Sequence, residues 1–157
     1  MTVTPTVLKW AMRLYPPLLF QRVWVIRFYD DFKGADVVIR KSIFNVNYNK
    51  SIFGGTIFAA TDPFYPVLLH QILSGAGFSA RVWVKSATIQ YLKPARTHLY
   101  FSIRINDDDV ADARHLLTTV GIYTKMIPIE LFDKSDELCA FVQSEVYIRN
   151  LKHAGLT

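Results

Sequence analysis

Asp62 and the glycine pair Gly54-Gly55 combine a lone carboxylate with backbone donors seven and eight positions away, the parts of a reactive site. They lie in the run Phe53-Gly54-Gly55-Thr56-Ile57-Phe58-Ala59-Ala60-Thr61-Asp62-Pro63, with Asn47 just upstream. Glycines let a backbone turn sharply and approach another group closely. A helix starting at Gly55 would aim free backbone N–H groups at whatever lies in front of it. Donors of that kind are in place before charge develops, which suits an oxyanion site. Asp62 stands among Phe, Ile, Ala and Pro, where a carboxylate is costly unless something uses or satisfies it. It could act as general base for water or as nucleophile on the acyl group. The same residues also fit a helix entry without ligand and a carboxylate held by nearby side chains or backbone.

Gly55 and Asp62 are seven residues apart, two turns of one helix, so they share a face. The rise between them is about 10 Å at about 1.5 Å per residue. A base and an oxyanion donor must each lie within roughly 3 Å of the reacting group. One helix cannot supply both to the same carbonyl. Two antiparallel copies about a twofold axis could, with Gly55 from one chain and Asp62 from the other. The expected assembly is therefore a homodimer at least.

The Asn, the residue before Gly-Gly, the hydrophobic helix and the acid two turns along resemble the signature of hotdog-fold acyl-CoA thioesterases of the phenylacetyl-CoA thioesterase type. The match is nearest to a bacterial branch with Phe before Gly-Gly and Asp-Pro at the acid. Tyr15-Pro16-Pro17, Val82-Trp83-Val84-Lys85-Ser86 and Ile89-Gln90-Tyr91-Leu92-Lys93-Pro94 also fit that branch. The resemblance implies an α+β hotdog fold, an antiparallel sheet wrapped around one long helix. It implies hydrolysis of an aromatic or medium-chain acyl-CoA, with coenzyme A arriving on the substrate and no resident cofactor. It makes Asp62, Gly55 and Asn47 the catalytic candidates, Asn47 helping to place the water or carbonyl. Phe53, Gly54, Thr56, Phe58, Lys85 and Ser86 become the substrate-binding candidates, and a homodimer or dimer of dimers the assembly. Phe53 departs from the many relatives that carry His there, and Phe cannot hydrogen bond. A non-catalytic hotdog that binds acyl-CoA or lipid is the alternative. A hydratase or dehydratase ranks last, because that chemistry in this fold pairs His with an acid and no His follows Asp62 until His70.

The elements that must position these residues can be read in outline. Residues 5–15 suggest a short amphipathic helix, with Val7, Trp10, Ala11 and Leu14 at helical spacing and Pro16-Pro17 as its stop. Val23 to Phe28 and Asp36 to Ile43 read as strands around the turn-like Asp30 to Gly34. The main helix is expected over about 55–73. Pro63 and Pro66 would deny donors to the carbonyls of Ala59 and Asp62, so a kink is expected near Asp62. Four further strands are expected near 82–93, 98–106, 114–126 and 138–149, with Asn106 to Asp109 a solvated turn and Pro128 to Glu137 a connection. Short links between strand pairs favour an antiparallel sheet, which needs its apolar face covered, and 55–73 is the long apolar element able to cover it.

The bulk properties bound the rest. At 157 residues the chain suits one domain, residues 1–157, with a real core. Apolar residues make up 51% and aromatics 14%, which excludes a disordered chain. A net charge of +5, spread without a basic helix or an aromatic RNA-binding motif, argues against nucleic acid and suits a phosphorylated ligand. Lys93 and Arg96 join Lys85 and Ser86 as residues able to meet phosphates, or as solvated strand positions. Cys139 is alone, so an intrachain disulfide is impossible. His70, His98, His115 and His153 show no metal-ligand spacing, and no metal site is expected. The apolar run 14–28 is too interrupted for a membrane span, no signal peptide is evident, and a cytoplasmic location is the expectation.

Overall fold

The computed structural model describes residues 3–154. The extremes of the expected 1–157 domain lie outside the described residues. Six strands form one antiparallel sheet in the order β1-β2-β4-β5-β6-β3. They are β1 (Val23–Phe28), β2 (Gly34–Ile39), β3 (Ala80–Tyr91), β4 (Leu99–Arg104), β5 (Ile122–Phe132) and β6 (Leu138–Asn150). The helices are α1 (Pro5–Leu14), α2 (Pro16–Phe20), α3 (Gly54–Thr61), α4 (Phe64–Gly75) and α5 (Asp107–Thr119). The sheet packs around α3 and α4 as the hotdog plan requires. Phe64, Leu68 and Leu73 are fully buried against Ile39, Leu99, Ile103 and Ile148 in one core. The Phe64 ring meets Phe101 edge-on at 5.7 Å and Phe28 at 6.5 Å.

The central helix is kinked rather than ended at the prolines. Asp62 (φ −64°, ψ −51°) and Pro63 (φ −83°, ψ −18°) both keep right-handed helical backbone between α3 and α4. Pro63 has no N–H for the Ala59 carbonyl, which interrupts the ladder there. Pro66 falls in the first turn of α4, where N–H groups have no intrahelical partner in any case. Pro16 acts similarly. It follows the end of α1 but also opens α2, as proline at a first helical position does.

Four expectations need correction. The segment expected as a strand over 114–126 is α5 up to Thr119, and β5 begins only at Ile122. Asn106 caps α5, its Oδ1 accepting from the Asp109 N–H at 2.7 Å. Asp107, Asp108 and Asp109 fill the first turn, where the helix dipole favours acids. Gly121 takes φ +82° and ends the helix, its N–H donating to the Leu116 carbonyl at 2.9 Å. The acidic stretch is thus a helix start, not a solvated turn. The first half of the connection expected over Pro128 to Glu137 is also strand, since β5 runs on to Phe132. Proline fits inside it because β4 pairs with β5 only at Tyr100↔Phe132. At Pro128 one side of β5 is open, so the missing donor costs no ladder bond there. The strand expected over 36–43 is shorter, Gly34–Ile39.

β3 is an edge strand, paired with β6 alone from Ala80↔Asn150 to Tyr91↔Ala140, with a register shift between Val84 and Ser86. Among the described residues no helix is long and apolar enough to cross a membrane.

Candidate active site

The start of α3 is built from a loop, a glycine pair and two aromatic rings. Asn45 anchors the loop. Its buried side chain accepts from the Ser42 N–H at 2.9 Å and donates to the carbonyls of Gln21 and Arg40 at 2.8 and 3.0 Å. Its own carbonyl accepts the Phe53 N–H at 2.7 Å, fixing the helix entry. Phe53 is the N-cap residue in extended conformation, and its carbonyl accepts from the N–H groups of Thr56 and Ile57. Among the described residues the N–H groups of Gly54 and Gly55 meet no acceptor. These are the two free donors that the glycine pair promised.

The glycines make room for side chains as well. A β-carbon on Gly54 would stand 2.9 Å from the Tyr91 ring, and one on Gly55 only 2.4 Å from the Phe53 ring. Tyr91, at the end of β3, donates its hydroxyl to the Gly54 carbonyl at 2.9 Å. Partial burial pushes the Tyr91 hydroxyl pKa up, so it stays a donor. Tyr91 entered the sequence reading only through the resemblance. Its contact with the helix entry crosses 37 positions of chain, and no local pattern signals it. Tyr91, Asn47, Ser51, Ile57 and Pro94 line a groove beside Gly54.

Asp62 occupies the kink and is exposed. Its apolar sequence neighbours do not bury it in the single chain, so the desolvation cost expected for it is absent there. Its carboxylate makes no hydrogen bond or ion pair among the described residues, and it lies next to the free N–H groups that open α4. Thr61 beside it turns inward, its hydroxyl donating to the Phe58 carbonyl at 2.8 Å.

The other candidates divide. Phe53 at the helix entry and Phe58 one turn on are exposed, and Gly54 lies against Tyr91. Thr56 is buried and faces the core. Asn47 organises the turn after it: its Oδ1 accepts from the N–H groups of Asn49 and Ser51 and from the Ser51 hydroxyl at 3.0–3.2 Å. Asn47 lines the groove, and its amide nitrogen donates to no partner among the described residues. Lys85 and Ser86 are both engaged by Glu145, the Ser86 hydroxyl at 2.7 Å and the Lys85 ammonium at 3.4 Å. These contacts lower the Glu145 carboxyl pKa, the Ser86 hydrogen bond first and the Lys85 charge next, against an opposing burial effect. Within one chain Ser86 lies roughly 17 Å along β3 from Tyr91, at about 3.3 Å per residue. The fold therefore separates Lys85 and Ser86 from the Gly54-Gly55 entry of the same chain.

A cavity of about 260 Å³ begins one turn beyond Asp62 on α4 and is roofed by β5 and the start of α5. Tyr65, Leu69, Tyr123, Met126 and Ile127 line it, with the Lys125–Asp109 ion pair among its polar groups. Burial raises the hydroxyls of Tyr65 and Tyr123 to about 12, so both remain protonated donors.

Solved structures share this architecture. PA5026 from Pseudomonas aeruginosa, described as a protein of unknown function and probable thioesterase, superposes with a TM-score of 0.76 at 16% identity, covering 96% of this chain and 98% of that one. The thioesterase HI1161 from Haemophilus influenzae gives 0.69 at 13% identity, covering 99% and 96%. The PaaI protein of the phenylacetic acid degradation operon of E. coli gives 0.59 at 14% identity, covering 85% and 83%. At such identities the likeness establishes the hotdog fold. No curated protein sequence matches the chain. A family model, the domain of unknown function DUF4442, matches residues 8–148, and over that span, which holds the helix entry, the kink, five whole strands and all but the end of β6, the chain belongs to the DUF4442 family.

Proposed function

We propose that the protein hydrolyses acyl-CoA thioesters with an aromatic or medium-chain acyl group, in a homodimer whose sites each draw on two chains. The observation that carries this reading is the pair of free N–H groups at Gly54-Gly55, on a helix whose exposed kink presents an unpaired Asp62. The thioester carbonyl oxygen would lie on the Gly55 N–H of one chain. Asp62 of the partner subunit would take a proton from water as the water oxygen attacks the carbonyl carbon. Collapse of the tetrahedral intermediate breaks the C–S bond, and the thiolate leaves with the proton that Asp62 held. The alternative route, in which the carboxylate attacks first and water then cleaves the mixed anhydride, uses the same two groups. Asn47, through its free amide N–H, would help place the water or carbonyl. The related thioesterases named by the resemblance share a site between chains in this way, and β3, a long edge with only one partner strand, is open to pairing with a second copy. The groove beside Tyr91 would take part of the coenzyme A arm, and the cavity beyond Tyr65 is large enough for a compact acyl group. A cytoplasmic location belongs to the same reading.

One observation favours a second reading, an acyl-CoA or lipid-binding protein without turnover. The Phe53 ring lies against Gly55 in place of a side chain that could hydrogen bond. Turnover assays over a panel of aromatic, medium-chain and long-chain acyl-CoAs, with Asp62→Asn beside the wild type, decide between them. Asn keeps the size of the side chain but cannot accept a proton at neutral pH. Loss of about 10²–10⁴-fold in rate is expected, with melting unchanged because Asp62 is exposed and unbonded. Full activity in Asp62→Asn refutes the mechanism. Binding of an acyl-CoA without hydrolysis by the wild type installs the second reading. Sedimentation of the active species as a monomer refutes the shared site.

A further inference from the structure

α1 is apolar on two sides. Leu8 and Met12 face the core and are buried. Val7, Trp10, Ala11 and Leu14 form a second stripe that faces outward, with Leu14 62% exposed. α2 continues this surface with Phe20 at 69%, and the loop after β2 adds Ile43 at 86% and Phe44 at 71%. The three segments are tied together. The Arg13 guanidinium stacks on Trp10 and Trp24 at 4.8 and 4.4 Å, and Arg40 stacks on the same Trp24 at 4.8 Å. The Arg40 N–H donates to the Arg22 carbonyl, and Asn45 bridges the carbonyls of Gln21 and Arg40.

The charge here has one sign. Residues 3–29 and 37–61 contain no Asp or Glu. They contain Lys9, Arg13, Arg22, Arg27, Arg40, Lys41 and Lys50. Arg27 pairs with Asp36, and the other six make no ion pair among the described residues. Arg13 and Arg40 share one indole with no carboxylate between them. Burial, and then the Arg40 charge, lower the Arg13 pKa, which an anion in front of the pair would reverse.

We propose that the face made by α1, α2 and the 40–50 loop docks peripherally on an anionic lipid bilayer. Exposed aliphatic and aromatic side chains ringed by cations suit the boundary between acyl chains and phosphate headgroups. Nucleic acid would engage the cations but leave Leu14, Ile43 and Val7 in water. A second copy seated on the same face would set six cations against six. The loop runs directly into α3, so docking brings the Gly54-Gly55 entry close to the bilayer. Docking of this kind is independent of thioester hydrolysis and is read without a turnover assay.

The test mixes the full chain with vesicles of equimolar phosphatidylglycerol and phosphatidylcholine, and with vesicles of phosphatidylcholine alone, and measures co-sedimentation. Binding to the anionic vesicles, weakened by salt, and little to the neutral ones is expected. Each cation near a charged surface is worth about fivefold in affinity, so Lys9→Gln/Arg22→Gln should lose about 25-fold. Phe20→Ser/Ile43→Ser should lose more than about tenfold through its apolar contacts. Arg114→Gln/Lys152→Gln, the same charge change beside α5 and away from this face, should bind as wild type. No binding to anionic vesicles, equal binding to neutral ones, or equal loss in the control pair overturns the proposal. So does a fall in oligomer mass in Phe20→Ser/Ile43→Ser with vesicle binding intact, which would assign the face to a second copy.

Discussion

Gly55→Ala separates the shape of the α3 entry from its chemistry. A β-carbon on Gly55 would lie 2.4 Å from Cε1 and 3.0 Å from Cζ of Phe53, too close for the ring to stay where it is. Phe53 is 57% exposed and its backbone is held by the bond to the Asn45 carbonyl, so the ring can swing outward while the helix start stays fixed. Full burial of a Phe side chain is worth about 1.5–3 kcal/mol, so a half-exposed ring that loses its remaining contacts forfeits about 1 kcal/mol. Alanine in place of glycine in a helix returns up to about 1 kcal/mol. The two nearly cancel, and the melting temperature should stay within about 4 °C of wild type. Turnover should not be spared. A carbonyl displaced by about 1 Å from its donor can lose about 10²-fold in rate. Steady-state kinetics with the best acyl-CoA and thermal melting on the same sample give both numbers. Phe53→Ala/Gly55→Ala then removes the clash. Recovery in the double variant assigns the defect to the displaced ring, and persistent loss assigns it to the methyl at the carbonyl site. Wild-type turnover in Gly55→Ala with unchanged melting would refute the placing of the oxyanion at this N–H.

Acid stability and the loop anchor give two further tests. Burial alone would raise the Asp36 carboxyl, but hydrogen bonds from Arg27, Ser102 and Arg104 outweigh it and hold the pKa at about 2, against an ordinary 3.8. A depressed carboxyl stabilises the fold above the unfolded value of 3.8, and this is lost as pH falls through about 2. Because Arg27 and Arg104 are largely exposed, this network contributes about 1–2 kcal/mol after solvent screening. Urea unfolding across that acid range should show this slope in the wild type and a flatter one in Asp36→Asn; equal slopes would exclude the network as its source. Asn45→Ala strips the three hydrogen bonds of a buried side chain and should cost about 2–4 kcal/mol in chemical unfolding. A cost below about 0.5 kcal/mol, the level of an ordinary surface change, would show that the loop holds the α3 entry by other means.

The elements legible in the sequence were those whose signals are local. β3 and β6 alternate over long stretches and end at turn residues, and both lie within a few positions of the expected 82–93 and 138–149. The kink at Pro63 follows from one missing donor, and the two free N–H groups from a glycine pair at a helix start. α5 was missed because Leu116, Leu117, Val120, Ile122 and Tyr123 look strand-like in a short window, while the deciding signals, the Asn106 cap and the left-handed Gly121, sit at its two ends. The stripe Val7, Trp10, Ala11 and Leu14 was legible as a helix but not as an outward face. Leu8 and Met12 enter the core instead, and periodicity records which residues share a side, not which side meets the core. Tyr91 on the Gly54 carbonyl, the Glu145 clasp on Lys85 and Ser86, and the exposure of Asp62 belong to the tertiary structure alone. Each depends on strands and helices distant in sequence being brought together by burial of Phe64, Leu68 and Leu73, a non-directional force that specifies the core and leaves the surface contacts to the geometry of the assembled sheet.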